Sequence, residues 1–501
     1  MFQRQFGSHN LMLYAGYEQF TNDYNQLYGF RQYYISSLIQ TMNAGADQDK
    51  NTTGYSTIYA RKSLIGRATY DYKGKYLAEI VFRRDGSLKF PEEGRWGNFR
   101  GFLVGWRASE EDFWKNNLGF INYFKLRGSY GKMGMDPGDP FQYMNKFGLS
   151  SGMLFGTGTS IETTVGPPSV ANPNITWETQ TTQNIGFDSK WFNDLISLNL
   201  DLFYNKREDI LTPRDASVPV FTGLSLPSEN IGQVDNKGFE IEAGFHKNLS
   251  ADLRLDITGN YSFARNKVVF YDEPERTVPW QVRTGHPFGA TLMYNAIGIF
   301  ADEAALEYPH WTNAKPGDVI FEDVSGDGKI TSDDRILFDG TDAPETFYGV
   351  TIEAAWKDFS LQAQIQGQGK YLRRNYYDNR RGEAGNYFQW TYDNRWTPTN
   401  TNTNIARAYN RQDYYWNVDD NLSSYWYDNT AYCRLKNVVL TYTIPQNLYR
   451  GLGISRANVY VSGNNVALLW TGTRKFDPEG NPGGGAYPLL KTYAIGANIT
   501  F

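Results

Sequence analysis

Hydrophobic and polar residues alternate along long stretches of the chain. In Leu195–Tyr204, one face carries Ile196, Leu198, Leu200, Leu202 and Tyr204, and the other carries Ser197, Asn199, Asp201 and the exception Phe203. From Ala251 to Arg265, Leu253, Leu255, Ile257, Tyr261 and Phe263 oppose Asp252, Arg254, Asp256, Thr258, Asn260 and Ser262. Phe359–Gly367 sets Phe359, Leu361, Ala363 and Ile365 against Ser360, Gln362, Gln364 and Gln366. A period of two marks a β-strand with one apolar and one polar face. The same pattern covers Asn10–Phe20, Ser56–Tyr72, Lys75–Arg84, Gly101–Ala108, Phe120–Lys132, Thr179–Trp191, Lys237–His246, Phe288–Ile297, Thr346–Trp356, Tyr432–Ile444, Ala457–Leu469 and Lys491–Phe501. About fifteen strands are expected. No long amphipathic helix is read, and Glu110–Asn116 reads as a short helical turn.

The connections fall into two sets. Lys73-Gly74, Asn193-Asp194, Asn248-Leu249-Ser250 and Lys357-Asp358 are short, whereas Met133–Ile175, Ile210–Asn236, Lys267–Pro287, Ala301–Glu345, Tyr371–Ala431 and Thr471–Leu490 are long. In an antiparallel meander this places the tight turns at one end and the long loops at the other, as in outer-membrane barrels. Strands of about 10–15 residues also match tilted membrane-spanning strands better than those of a small sandwich. Aromatic residues near turns (Phe187 and Trp191, Trp356 and Phe359) suit a bilayer interface; a soluble core could hold the same rings. The glutamines at 362, 364, 366 and 368 suit a wet interior and would be costly in a dry core. A soluble β-sandwich or propeller stays open on these features.

Composition changes the picture little. The 501 residues carry 49 basic and 54 acidic side chains, a net charge of -5 that gives no footing for nucleic acid. Cys433 is the one cysteine, so an internal disulfide and a cysteine metal cluster are excluded. The start, Met1-Phe2-Gln3-Arg4-Gln5-Phe6, is too polar for a signal peptide. No run of about 18 apolar residues offers a membrane helix, and a polar average does not exclude a transmembrane barrel. The four histidines are scattered, no Ser-His-Asp set can be argued, and Gly152–Gly158 lacks the ending of a phosphate loop. No enzyme is expected.

Two loops carry candidate chemistry. DVSGDGKITSDD (Asp323–Asp334) has nearly the spacing of a calcium loop. Candidate ligands are Asp323, Ser325, Asp327, the Lys329 carbonyl and Asp334. The flanks lack paired helices, and aspartate stands where glutamate is usual, so a structural Ca²⁺ or Mg²⁺ clip is expected rather than a sensor. An Asp/Gly-rich turn with solvated aspartates is the alternative. Tyr371–Ala431 is rich in aromatic residues and arginine. Tyr387, Trp390, Trp396, Arg395, Tyr415, Trp416 and Trp426 are candidates to contact a sugar or peptide substrate, or to pack against a protein lid or loop. Gly472–Gly485 reads as a flexible turn region.

The chain ends TYAIGANITF, with Tyr493, Ile495, Ala497, Ile499 and Phe501 on one face. Here the sequence resembles the C-terminal part of the SusC/RagA family, the TonB-dependent outer-membrane transporters of Bacteroidota. The stretches that carry the resemblance are WETQTTQNIGFD (Trp177–Asp188), LNLDLFYNKREDIL (Leu198–Leu211), NIGQVDNKGFEIE (Asn230–Glu242), KPGDVIFEDVSGDGKITSDDR (Lys315–Arg335), RWTP (Arg395–Pro398), YCRLKNVVLTYTIP (Tyr432–Pro445), VYVSGNNVALL (Val459–Leu469) and the last strand. The resemblance implies an all-β, large antiparallel transmembrane β-barrel in the cell outer membrane. It implies import of oligosaccharides or oligopeptides, energised by TonB, with a SusD-like lipoprotein lid. Phe501 looks like the signal read by the barrel assembly machinery. The family barrel has about 22 strands around a plug. Residues 1–501 are therefore expected to be a partial barrel in contact with outer-membrane lipid, without the plug, and not to transport alone, since open edges in lipid are unfavourable. Two alternatives are a soluble all-β carbohydrate- or protein-binding module with a calcium-stiffened loop, and a passive porin.

Overall fold

The computed structural model describes residues 1–154, 161–214, 226–276, 278–341, 343–375, 389–408, 423–451, 453–473, 475–480, 487 and 489–501. Fifteen strands form one sheet. They are β1 (Phe2–Phe6), β2 (His9–Phe30), β3 (Asn51–Tyr72), β4 (Tyr76–Ser87), β5 (Trp96–Trp106), β6 (Tyr123–Met135), β7 (Glu178–Trp191), β8 (Ile196–Thr212), β9 (Glu229–Asn248), β10 (Leu253–Phe270), β11 (Thr346–Trp356), β12 (Phe359–Gln368), β13 (Tyr432–Thr443), β14 (Arg456–Thr471) and β15 (Thr492–Thr500). Each strand neighbours the next in sequence, so the sheet is an unbroken meander. Short and long connections alternate, as the sequence pattern anticipates.

Three expectations need correction. Phe288–Ile297 is not a strand of this sheet. It splits into Thr291–Tyr294, paired with Arg335–Phe338, and Ala296–Ile299, paired with Val319–Phe321. The alternation there reflects a small loop core with one buried side, which imitates a longer strand. Residues 271–345 are thus one excursion between β10 and β11. The short strand Phe2–Phe6 takes the vacated place in the count. Finally, β2 continues beyond Phe20 to Phe30 and β3 begins at Asn51 rather than Ser56, in Asn, Gln and Thr-rich sequence that has no aliphatic face. The helical turn read near Glu110 is present as Asp112–Asn117.

One face of the sheet presents aliphatic side chains outward. Leu361 pairs with Leu440, Leu440 with Val461, and Val461 with Ile495, making an apolar row across four strands. All four are exposed. Burying each would be worth about 1.5–3 kcal/mol, so water is a poor solvent for this face. At the β11–β12 turn Trp356 stacks on Phe359 (6.4 Å), which contacts Tyr442 (4.8 Å). These amphipathic rings mark the turn end of the apolar band.

The chain divides into two compact units. The first comprises Met1–Val104, Ser129–Thr182 and Arg207–Gly232. Its core is Phe90, Phe99, Ile175 and Trp177. Beside them Asp136, buried, accepts hydrogen bonds from Tyr59 (2.9 Å), Ser87 (2.7 Å) and Arg61. Three donors on one carboxylate satisfy a charge that would otherwise be costly to bury. The second unit comprises Gly105–Gly128, Gln183–Lys206 and Gln233–Phe501. Its core lies in the loops, where Tyr294, Ile299, Val319, Phe321, Ile330, Ala406 and Trp426 cluster.

Candidate functional site

In the second unit, the polar face of the sheet is a field of charges and amides. Arg127 of β6 bridges Asp188 of β7 (3.0 Å) and Asp201 of β8. With Glu240, Glu242 and Asn260 they border a cavity of about 370 Å³. The glutamine row read from the sequence lies on this face. Gln362 donates to Glu353 (3.0 Å), Gln366 to Glu479 (2.8 Å), and Gln368 to the Thr430 carbonyl (3.0 Å). Such a face can hydrogen-bond and attract polar solutes, and among the described residues it carries no nucleophile–base arrangement.

The sequence reading missed what closes over this face. Arg434, only 3% exposed, holds Asp477 through both carboxylate oxygens (2.6 Å each) and pairs with Glu479 (2.7 Å). Lys436 adds a second contact to Glu479 (2.9 Å), and Arg373 donates to the Gly480 carbonyl (2.7 Å). Residues 475–480 are therefore pinned by charge, where a flexible turn was expected. Glycine content masked it: Asp477 and Glu479 meet their partners across about forty residues, a distance no local pattern spans.

The Asp323–Asp334 loop folds on its own backbone. Asp323 accepts the N–H groups of Gly326 (2.7 Å) and Gly328 (2.9 Å) and the Ser325 hydroxyl (3.2 Å). Gly326 and Gly328 have positive φ, the conformation that lets the chain wrap the carboxylate. Asp334, fully buried, accepts from the amides of Ser325 (2.9 Å) and Thr331 (2.7 Å), closing a capping box. Asp327 accepts the Lys329 N–H (2.9 Å). Burial works to raise the Asp323 pKa, but the N–H groups of Gly328 and Gly326 and the Ser325 hydroxyl outweigh it and hold the carboxyl below its ordinary value. The donor set is all hard oxygen, the type that Ca²⁺ or Mg²⁺ takes. Asp323 Oδ1 accepts both the Gly326 N–H and the Ser325 hydroxyl, and Asp334 Oδ2 accepts both the Thr331 N–H and hydroxyl, so a cation would share or replace some of these contacts.

The two loops singled out from the sequence are one packed body. Ile330, inside the Asp-rich loop, shares the core with Trp426 and Ala406. Trp396 packs against that core and donates to the Ala301 carbonyl (3.0 Å). Arg407 reaches the buried Asp318 (3.2 Å). Trp396 and Trp426 therefore serve loop packing. Trp390 is exposed on the short helix Gln389–Asn394, and the Arg395 guanidinium lies 3.8 Å above the Tyr392 ring. Tyr387, Tyr415 and Trp416 lie outside the described residues. Phe501 is exposed beyond the end of β15, beside exposed Ile499.

A meander with an outward aliphatic face, aromatic residues at its turns and a charged opposite face has the architecture of an outer-membrane barrel wall. Residues 2–318 match the model for "TonB dependent receptor-like, beta-barrel". The chain is 28% identical to TonB-dependent receptor P3 of Formosa agariphila, covering 100% of this chain and 51% of that protein. It is 25% identical to TonB-dependent receptor SusC of Bacteroides thetaiotaomicron, covering 90% of this chain and 45% of that one. The fold matches the RagAB peptide transporter with a TM-score of 0.78 at 19% identity, over 100% of this chain and 54% of that one. The chain belongs to the family of TonB-dependent receptor-like β-barrels, and it is similar in sequence to SusC and in fold to the RagAB transporter. It spans about half the length of the curated relatives it matches.

Proposed function

We propose that this chain is the barrel portion of an importer that moves oligosaccharides or oligopeptides across the outer membrane, energised by TonB and working with a SusD-like surface lipoprotein. The observation that carries the reading is the contrast between faces: the exposed row Leu361, Leu440, Val461 and Ile495 needs lipid, while the opposite face of charges and amides suits a wet passage. A soluble binding module would leave that row in water. The exposed Trp390 and the Arg395–Tyr392 stack support a contact with cargo or lid, since such groups favour interfaces. Phe501 would serve as the assembly signal. The Asp323–Asp334 loop would hold Ca²⁺ or Mg²⁺ through Asp323, Ser325, Asp327, the Lys329 carbonyl and Asp334, stiffening the loop body.

The test is uptake by cells in which the gene is inactivated and then restored. Loss of TonB-dependent uptake of a glycan or peptide, with a lipoprotein co-purifying in detergent, is the expected result. Protein that stays soluble without detergent, with uptake unchanged, would end the proposal.

A further inference from the structure

The short-turn end of the sheet carries one long connection. Three residues join β3 to β4 and two join β11 to β12, whereas residues 107–122 join β5 to β6. They include the short helix Asp112–Asn117. This stretch and the neighbouring β7–β8 turn both belong to the second unit. Trp114 shows where the helix lies. Its ring stacks on Phe124 of β6 at 4.9 Å, and Phe124 stacks on Phe187 of β7 at 5.7 Å. Arg127 and Asp188 of the same two strands meet on the polar face. Successive side chains of a strand alternate between faces, so Phe124 and Phe187 stand on the opposite, outward face. The exposed Leu126 and Ile185 continue that face along the two strands. The connection therefore folds back over the outside of the wall.

Two hydrogen bonds fix the fold-back. The Trp114 Nε1 donates to the Ile121 carbonyl (3.0 Å), and the Phe192 N–H of the β7–β8 turn donates to the Phe120 carbonyl (2.7 Å). More rings flank the stack. Phe113 stands 6.4 Å from Trp106, and Phe120 stands 5.9 Å from both Trp191 and Phe192. Phe113, Phe120 and Phe192 are exposed. The same stretches carry both signs of charge. Their bases are Arg107, Lys115 and Lys190, and their acids are Glu110, Glu111, Asp112 and Asp194. Glu110 pairs with Arg107 (3.2 Å) and Lys115 (3.1 Å), and Lys190 pairs with Asp194 (3.2 Å).

Exposed phenyl rings among paired charges suit one surrounding. The rings continue the outward aliphatic face, so they stand where that face leaves the bilayer. Aromatic and charged side chains share the headgroup layer there. The balance of charge selects the headgroup. A strongly anionic surface is drawn to clusters of bases, and here the acids match or outnumber them. A headgroup that joins a phosphate to an ammonium finds a partner for each. We propose that residues 107–122 are a membrane anchor that binds a zwitterionic phospholipid surface, with Phe113, Phe120 and Phe192 inserted among the headgroups. The proposal rests on the outer-membrane barrel reading and adds a lipid ligand to it.

The test uses the whole transporter in phosphatidylcholine vesicles, with Cys433→Ser removing the native thiol. A nitroxide label is placed on Asn116→Cys, which leaves every ring intact. A second protein carries it on Leu440→Cys, in the aliphatic row. Collisions of the label with oxygen, which concentrates in lipid, are compared with collisions with a neutral nickel chelate, which stays in water. Unchanged heat-modifiable gel migration shows that each variant is folded. The oxygen-to-nickel ratio at Asn116→Cys should be at least about threefold that of free label in solution. Adding Phe113→Ser/Phe120→Ser should bring it down to the free-label value. Phosphatidylglycerol in place of phosphatidylcholine should not raise it. A water-like ratio at Asn116→Cys, a label shielded from both reagents, a serine pair without effect, or a ratio that rises with phosphatidylglycerol overturns the anchor. Leu440→Cys separates the two claims. A high ratio there with a water-like ratio at Asn116→Cys removes the anchor and leaves the barrel in its bilayer. Water-like ratios at both positions remove both.

Discussion

Arg434 shows what a single side chain contributes to the polar face. It is enclosed between Asp477 and Glu479: its Nη2 meets both oxygens of Asp477 and its Nε faces Glu479. Arg434→Leu would leave Asp477 without its arginine and Glu479 with Lys436 and Gln366, a change expected to cost about 3 kcal/mol, the low end for breaking a buried pair. The expected outcome is a lower unfolding midpoint in detergent together with new protease cleavage within 472–480; a variant as stable and as resistant as wild type would show the pair to be incidental. Asp323 makes a pH-dependent contribution. Its pKa is held below the ordinary value of about 3.9, so its contacts stabilise the loop above that value and are lost as pH falls through the lower, folded value. Protection of the Gly326 and Gly328 amides, corrected for the intrinsic exchange rate, should be high at neutral pH and fall only in strong acid. Asp323→Asn should lower that protection at neutral pH and make no difference in strong acid. At this scale the sequence was partly legible. The Asp-rich spacing announced a tight loop, but the burial of Trp396 and Trp426 depends on Val319, Phe321 and Ile330, distant residues that no local pattern links to them.

Among elements, the strands with an aliphatic face were the readable ones. β11, Thr346–Trp356, matches its sequence reading, because Tyr348, Val350, Ile352 and Ala354 alternate with Gly349, Thr351 and Glu353. The end of β2 beyond Phe20 and the start of β3 before Ser56 were invisible because their Asn, Gln and Thr residues leave no aliphatic face there. Phe288–Ile297 misled in the opposite direction, since a loop core can alternate too. The aliphatic row gives a prediction for strands β12 to β15. Leu440→Arg places a charge in the centre of that row and should destabilise the sheet by about 2–4 kcal/mol if the row meets the bilayer midplane. Urea unfolding in lipid vesicles measures it. Thr441→Arg, on the polar face, should cost far less, and equal effects would contradict the assignment of the faces.

For the whole molecule, family and fold class were legible because many weak motifs occur in one order, while cargo was not. Charge, rings and amides within the second unit are drawn from stretches as far apart as Asn295 and Ser424, which meet only in three dimensions. The loop body offers a test of the metal clip. Chelation of divalent cations should lower the melting temperature of the transporter and shift the tryptophan emission of the body that holds Trp311, Trp396 and Trp426, with Ca²⁺ or Mg²⁺ restoring both. Identical melting and emission across a chelator titration would leave the aspartates as backbone cradles and nothing more. The unbroken order of the sheet has its own consequence for assembly. Every strand finds its partner in the piece of chain made just before or after it, so loop closure is spread over many small steps. The pairs β10–β11 and β12–β13 are the exceptions, closing over the excursions 271–345 and 369–431, and a cut in either would leave both pieces able to zip up their own hairpins.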